Sequence, residues 1–561
     1  MDIESHQSRK FSEIEQSTKA AILSEVNRQG DGTSKLWKVF VLCMTPGILN
    51  GLYVSSYVFL GHMPNNLTCV IPSLTEAYWS HEEIKNISTR LVTDKCKIRN
   101  WNYTLLSELT FESAYQYATA ADLPSEIPCR KSEENFFAYD NDGLSIVAEW
   151  DLICDREILR TTVQVALYVG KFLGAFIFGI IADKYGRKTS VTIASILYIV
   201  CGPVSAFVNT YWLFLICRIG LGLAGSGVYH SAYTILTEFA SIKYRSTLSI
   251  FFSVSYPIGM MILAIFAYFI HPWRQLQIAL SVPAVFLVVH FFLLEESPRW
   301  LMSKGKISEA HKIVFRTPMA EQEHFELEKL KKLQADRLKI RKGNNVLTNI
   351  FNGIKTGCSE LIDLYGNKLL RRRLLICHFT FFMSSLTYYV IALNGDNFLA
   401  NQYFYVAVTG LTEVPSYIVP CIMFKWMGRK RVSLILFFLA GTALLSILAV
   451  PLDYTDAVIG VALFGRTCIS AVFVVVILHT AELFPTTIRS SAIGTSSTMA
   501  HIGSISAPYI VDGLGSLKWF IPSTICGICS VIAGLLVLGL PETEHVELND
   551  TVEEETTREI K

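Results

Sequence analysis

Gly179-Ile-Ile-Ala-Asp183-Lys-Tyr-Gly186-Arg187-Lys188 ends a long apolar run in a glycine turn and two cations, and a copy of that ending stands 242 positions later as Gly428-Arg429-Lys430. Two further markers repeat at nearly the same displacement. Glu238 and Arg245, seven apart, recur as Glu482 and Arg489, displaced by 244, and Glu296 answers Glu542, displaced by 246. Coincidence would have to place similar residues at similar depth three times. The chain therefore reads as two six-helix halves in the same orientation, the parallel repeat of a transporter that rocks around a central site.

The residues around those markers agree. The chain has 561 residues, 51% of them hydrophobic and only 17% charged, and its mean hydropathy of +0.38 excludes the soluble classes. Apolar runs of about 20 residues or more lie near 36–60, 158–181, 189–209, 212–236, 246–270, 275–294, 374–393, 402–424, 432–450, 457–479, 491–511 and 519–540. Lipid offers no water to unpaired backbone groups, so these runs are expected to be helices, giving an all-α membrane protein with twelve transmembrane helices. The first run follows a polar, charged stretch, which predicts no removable signal peptide.

An even number of spans puts both ends of the chain on one side. The short loops after the second, fourth, eighth and tenth runs carry Lys184, Arg187, Lys188, Lys243, Arg245, Lys425, Arg429, Lys430, Arg431 and Arg489, against Arg274 and Lys518 in the opposite short loops. The positive-inside rule makes the basic side cytosolic. The expected divisions are a cytosolic tail over 1–35, a first six-helix half over 36–295 with an extracellular domain at 61–157, a basic cytosolic linker over 296–373, a second half over 374–540, and a cytosolic tail over 541–561. A formal net charge of +1 gives no reason to expect a nucleic-acid partner.

The predominantly acidic stretch 61–157 holds Cys69, Cys96, Cys129 and Cys154 beside three glycosylation sequons, at Asn66, Asn86 and Asn102. Four cysteines among three sequons fit an oxidising, glycosylated ectodomain with two disulfides, in any of three connectivities. The sequon at Asn549 in the carboxy-terminal tail shows that a single match occurs by chance, so the clustering carries the argument. The other nine cysteines read as core packing.

Asp183, Gly186, Arg187, Lys188, Glu238, Arg245, Gly428, Arg429, Lys430, Glu482 and Arg489 form a candidate gate. Glycine lets each loop turn tightly, and Arg or Lys near Asp183, or Glu against Arg, can form ion pairs that hold the two halves together while the inner mouth is shut. The alternative is charge that only orients the spans. The chain has no lysine-containing Gly-rich nucleotide loop and no metal-ligand spacing, so neither ATP hydrolysis nor a cofactor is expected to drive the motion.

The stretch from Gly179 to Lys188 resembles the loop signature of the major facilitator superfamily. Glu149-Trp150-Asp151-Leu152-Ile153-Cys154, Ser297-Pro298-Arg299-Trp300-Leu301 and Ala481-Glu482-Leu483-Phe484-Pro485-Thr486-Thr487-Ile488-Arg489 resemble, more narrowly, the organic cation, organic anion and carnitine transporters, over about 58–542. The resemblance implies the major facilitator fold with a large first extracellular loop. Residues 1–38 lack the family's usual lead into the first helix, which leaves the role of that segment open.

Charged residues inside spans cost roughly 2.5–3.5 kcal/mol each on insertion scales and are pathway candidates by default. Glu413, before Val414-Pro415, resembles the acidic residue that faces the cavity in cation carriers; otherwise it is held in an ion pair with Lys171, Arg218 or Arg466. Tyr417 lies one turn further on the same face, where the resemblance sets a lysine in anion carriers and a tyrosine in carnitine-type carriers. Tyr388 and Tyr389 look like cavity aromatics able to hold an ammonium by cation–π contact, with helix packing as the alternative. His501, in Ser497-Thr498-Met499-Ala500-His501-Ile502-Gly503-Ser504, stands where the resemblance sets arginine in anion and carnitine carriers and aspartate in vertebrate-type cation carriers. It supplies neither fixed charge. His230, His290, His378 and His479 read as packed and uncharged. The candidate substrate-binding set is Tyr388, Tyr389, Glu413, Tyr417, Arg466, His501 and Lys171.

A carrier, a channel and a transporter-shaped sensor differ in counter-stimulated flux, conductance and binding without flux. The repeated halves favour a plasma-membrane carrier working by alternating access on a small organic ion, with a coupling ion or exchanged solute as a further partner. Glu413 and the missing lysine favour organic cations or zwitterions, with organic anions second.

Overall fold

The structure, a computed structural model, describes residues 17–544 apart from 64–66, 91, 93–95, 121, 130–136, 140–144, 318–364, 396, 452 and 486–487. Asn66, most of the carboxy-terminal tail and the middle of the linker therefore lie outside the described residues.

Each apolar run becomes a helix. Spans 1 to 6 are Ser34–Leu60, Glu157–Tyr185, Arg187–Phe207, Tyr211–Phe239, Ile242–Phe269 and Trp273–Leu293; spans 7 to 12 are Lys368–Leu393, Gln402–Met423, Arg429–Ala449, Thr455–Leu483, Arg489–Tyr509 and Ile521–Val537. Ten of them are long and apolar enough by themselves to cross a membrane. Span 11 is diluted by Ser, Thr and Gly, and span 12 is apolar but short. Span 6 breaks into Trp273–Ser281, a 3₁₀ stretch Val282–Phe286 and Leu287–Leu293, because Pro283 cannot donate to the helix ladder. Span 7 starts earlier than the sequence suggests, at Lys368 rather than Leu374. Asn367 Oδ1 accepts the Leu369 N–H at 3.0 Å and caps the helix there.

The repeat is visible in the packing. Spans 1 and 5, 2 and 4, 3 and 4, and 3 and 6 pack together in the first half, and spans 7 and 11, 8 and 10, 9 and 10, and 9 and 12 repeat those pairings in the second. Each half encloses its own apolar core, built on residues such as Phe214, Phe252 and Trp273 in one and Phe381, Phe437 and Val472 in the other. The halves meet along spans 5 with 8 and 2 with 11, a pair of contacts related by the same six-helix displacement.

The stretch 61–157 adds short helices and two small antiparallel pairs, Leu67–Cys69 with Phe137–Tyr139 and Lys97–Arg99 with Glu126–Pro128. Its disulfides are Cys69–Cys129 and Cys96–Cys154, one of the three connectivities left open by the sequence. Below it, Glu149 is ion-paired to Arg274 and accepts the Trp273 indole N–H at 2.8 Å, which anchors the Glu149-Trp150 motif to span 6.

On the opposite side, residues 17–29 form a helix that packs Ile22 and Val26 against Trp300, Leu301, Ile307 and Val314. The amino-terminal segment and the start of the linker thus form one cap rather than two separate pieces. Gln29 Nε2 donates to Val314 O at 2.8 Å and Arg299 Nη2 to Asn27 Oδ1 at 2.9 Å.

Candidate functional site

Spans 1, 2, 4 and 5 of the first half and spans 7, 8, 10 and 11 of the second surround a cavity of about 340 Å³. Close helix contact shapes its first-half wall. A Cβ on Gly222 would stand 2.1 Å from Leu167 O, and one on Gly170 would stand 2.2 Å from Ile219 O, so only glycine permits spans 2 and 4 to approach this far. Tyr168 and Lys171 flank Gly170 and line the cavity.

Of the seven binding candidates, Tyr388, Tyr389, Glu413, Tyr417, His501 and Lys171 line this space. Arg466 does not; it lies behind Glu413 with 1% of its surface exposed. Its Nη2 is 3.1 Å from Glu413 Oε2, its Nη1 donates to Thr409 O at 3.0 Å, and its guanidinium sits 4.3 Å from the Tyr388 ring centre. Glu413 also accepts the Tyr388 hydroxyl at 2.8 Å and the Tyr417 hydroxyl at 2.9 Å. Of the three cations that could pair with Glu413, the structure selects Arg466. A carboxylate with a bonded cation and two donors has its charge compensated before any ligand arrives.

Lys171 is left over. Among the described residues it has neither ion-pair partner nor hydrogen bond, although it faces the same cavity as Glu413. His501 lies edge-on to Phe172, with ring centres 5.8 Å apart. His230 corrects the expectation of a packed histidine: it is exposed into the cavity, with Nδ1 2.8 Å from Ser226 O. His290, His378 and His479 are buried as expected.

Sequence reasoning missed Asn50, Tyr168, Tyr229, Tyr256 and Phe473, which also line the space. Tyr168 was findable, since it precedes Lys171 by one turn on the same face. The others carry no local signal. In all, six tyrosines and two phenylalanines surround the cavity, and Tyr168 and Tyr389 touch across the two halves at 4.8 Å.

The repeated charges are arranged differently from the expected gate. Arg187 pairs with Asp183 at 2.9 Å and Glu238 at 3.3 Å, all in the first half, and Arg429 pairs with Glu482 at 3.3 Å and Glu544 at 3.7 Å in the second. Arg245 and Arg489 do not pair with the glutamates seven residues before them. Each bonds a backbone carbonyl five residues back, Ala240 O and Phe484 O. Glu296 accepts the N–H groups of Arg187 at 2.9 Å and Lys188 at 3.1 Å, capping span 3; Glu542 receives the Lys430 N–H at 3.4 Å at the start of span 9. These carboxylates sit where the helix dipoles favour them. Gly186 has φ +116°, and a Cβ there would stand 2.2 Å from Glu296 Oε2; a Cβ on Gly428 would stand 2.2 Å from Glu542 Cδ. None of these ion pairs crosses between halves among the described residues.

Among the described residues, Tyr256 and Tyr388 hydrogen-bond across the halves at the cavity, and a cluster of crossing contacts lies on the side of residues 61–157. Asp512 accepts Thr161 Oγ1 at 2.7 Å and Tyr57 Oη at 3.1 Å and stands 4.0 Å from Arg160, while Phe59 stacks on Tyr403 at 5.4 Å. The halves are therefore closed above the cavity in this conformation.

Two repeated helical halves around a central cavity are the arrangement of a membrane transporter. Residues 101–554 match the family described as "Sugar (and other) transporter". The chain is 34% identical over 75% of its length, and 73% of the relative's, to solute carrier family 22 member 16 of Xenopus laevis. It is 29% identical to the organic cation transporter protein of Drosophila melanogaster over 92% of this chain and 91% of that one. It is 31% identical to organic anion transporter 3 of Sus scrofa over 74% and 75%. Its fold matches the crystal structure of a D-xylose–proton symporter with a TM-score of 0.57 at 14% identity, over 92% of this chain and all of that one. The chain belongs to the organic cation and organic anion transporter family of the major facilitator superfamily.

Proposed function

We propose that this transporter carries small organic zwitterions across the plasma membrane by alternating access, with both termini in the cytosol. The reading rests on one contrast. Glu413 is compensated by Arg466, whereas Lys171 faces the cavity with no anionic partner among the described residues. The carboxylate of a ligand would complete Lys171, and its ammonium would lie among the tyrosines around Glu413, where ring faces attract cations. A cation without a carboxylate would leave Lys171 unpaired and repel it. Organic anions are the second reading, supported by the same lysine. The basic loops support the orientation.

The test is uptake, in cells expressing the chain, of a quaternary-ammonium carboxylate, its methyl ester and an isosteric carboxylate without nitrogen. The expected order puts the zwitterion first, with saturation and stimulation by unlabelled substrate on the far side. A net-neutral substrate moved without a coupling ion is expected to be insensitive to depolarisation. A methyl ester carried at least as well as the zwitterion overturns the reading. Conductance without counter-stimulation, or binding without flux, overturns the carrier mechanism itself.

A further inference from the structure

At the start of span 7, beside the end of span 12, Lys368, Arg371 and Arg372 share a groove of about 480 Å³ with Leu375, Leu535 and Leu536. All three cations are exposed, and none has an ion-pair or hydrogen-bonded partner for its side chain among the described residues. They stand in the first turns of a helix, where the macrodipole disfavours positive charge, so the cluster lacks local compensation among the described residues. The guanidinium of Arg372 reaches across the backbone of span 12's exit: a Cβ on Gly539 would stand 3.2 Å from its Nη2. Below the cations the walls are apolar and outward-facing, with Leu375 53% and Leu535 51% exposed.

The repeat supplies an internal comparison. The same corner of the first half, between the start of span 1 and the end of span 6, holds Lys35. That lysine pairs with Glu295 at 3.0 Å and donates to Ile313 O at 3.1 Å under the cap of linker helices. The first half completes its corner with its own carboxylate and carbonyl. Among its described residues, the second half presents three cations above an apolar wall.

We propose that this groove binds an anionic phospholipid, with the phosphorylated headgroup on Lys368, Arg371 and Arg372 and the acyl chains along Leu375, Leu535 and Leu536. Basic pockets between membrane helices recognise such headgroups, and the apolar wall explains why the ligand is a lipid and not a soluble phosphate. The choice of an inner-leaflet phosphoinositide as probe rests on the cytosolic orientation proposed above.

The test is fluorescence anisotropy of a labelled short-chain phosphatidylinositol bisphosphate titrated with the full chain in detergent, where orientation plays no part. Replacing all three cations, in Lys368→Gln/Arg371→Gln/Arg372→Gln, is expected to weaken binding at least about ten-fold. Removing three charges from other loops of the same side, in Lys184→Gln/Lys243→Gln/Lys425→Gln, is expected to leave it within about two-fold. Gly539→Leu keeps every charge but fills the groove and is also expected to weaken binding; with Arg372→Gln it carries the test if the triple variant fails to fold, judged by thermal unfolding. Equal losses in the two triple variants overturn the site in favour of diffuse surface charge. Unchanged binding in the groove variants overturns it outright, and equal affinity for free inositol trisphosphate overturns the lipid assignment.

Discussion

Arg466 and Glu413 face each other at 3.1 Å with side chains 1% and 2% exposed, so the carboxylate that Glu413 brings to the cavity lining is held from behind by a buried guanidinium. Breaking a buried pair costs far more than replacing it, roughly 3–5 kcal/mol, because one charge is stranded. Glu413→Gln is therefore expected to lower thermal stability and surface abundance as well as uptake. Glu413→Gln/Arg466→Met is expected to regain most of the stability without the uptake. Equal stability of the single variant and wild type, in a detergent melting series, counts against this account.

Lys171 and His501 line the same cavity from spans 2 and 11. Lys171→Met is expected to lower kcat/KM for a zwitterion about ten-fold, roughly 1.4 kcal/mol, while sparing a pure cation. His501→Arg adds a second fixed charge beside it and is expected to move preference further towards anions. Retention of the wild-type ranking by both variants, at matched surface levels, sinks the charge argument.

The contacts of Asp512 with Thr161, Tyr57 and Arg160 join the halves on the side of residues 61–157, proposed above to be extracellular. Asp512→Ala is expected to favour outward opening, seen as several-fold faster labelling of a cysteine placed at Tyr389 by an impermeant thiol reagent applied outside. Unaltered labelling would remove Asp512 from the closure.

Gly186→Ala forces a side chain into φ +116° and into the carboxylate that caps span 3. The expected loss is about 1–3 kcal/mol, larger than for Glu296→Gln, which removes only the charge at the helix end, about 0.3–1 kcal/mol. The two melting temperatures, compared under one condition, give the order.

The disulfide pairing makes a residue-specific forecast. Cys154→Ser is expected to free Cys96 alone for alkylation in the non-reduced protein, leaving Cys69 and Cys129 protected. It is also expected to reduce surface abundance, since losing a bridge in a small secreted domain costs roughly 2–5 kcal/mol. Labelling of Cys69 in that variant contradicts the pairing.

Sequence alone determined the twelve spans, the two halves and the offset of the repeat, because length, hydropathy and recurring charges are local quantities read along the chain. It also pointed to six residues of the cavity, since a charge or paired aromatics inside an apolar run stand out against their neighbours. Partnership was not local. Whether Glu413 meets Lys171, Arg218 or Arg466 depends on the rotation and approach of separate helices, which only the packing in three dimensions decides. The same holds for Glu238, which pairs with Arg187 across a helix gap and not with Arg245 seven residues away, and for His230, exposed to the cavity although its sequence looks like core. Tertiary structure alone turned a list of charges into one compensated pair and one lysine uncompensated among the described residues, because electrostatic compensation depends on distances between residues far apart in the chain.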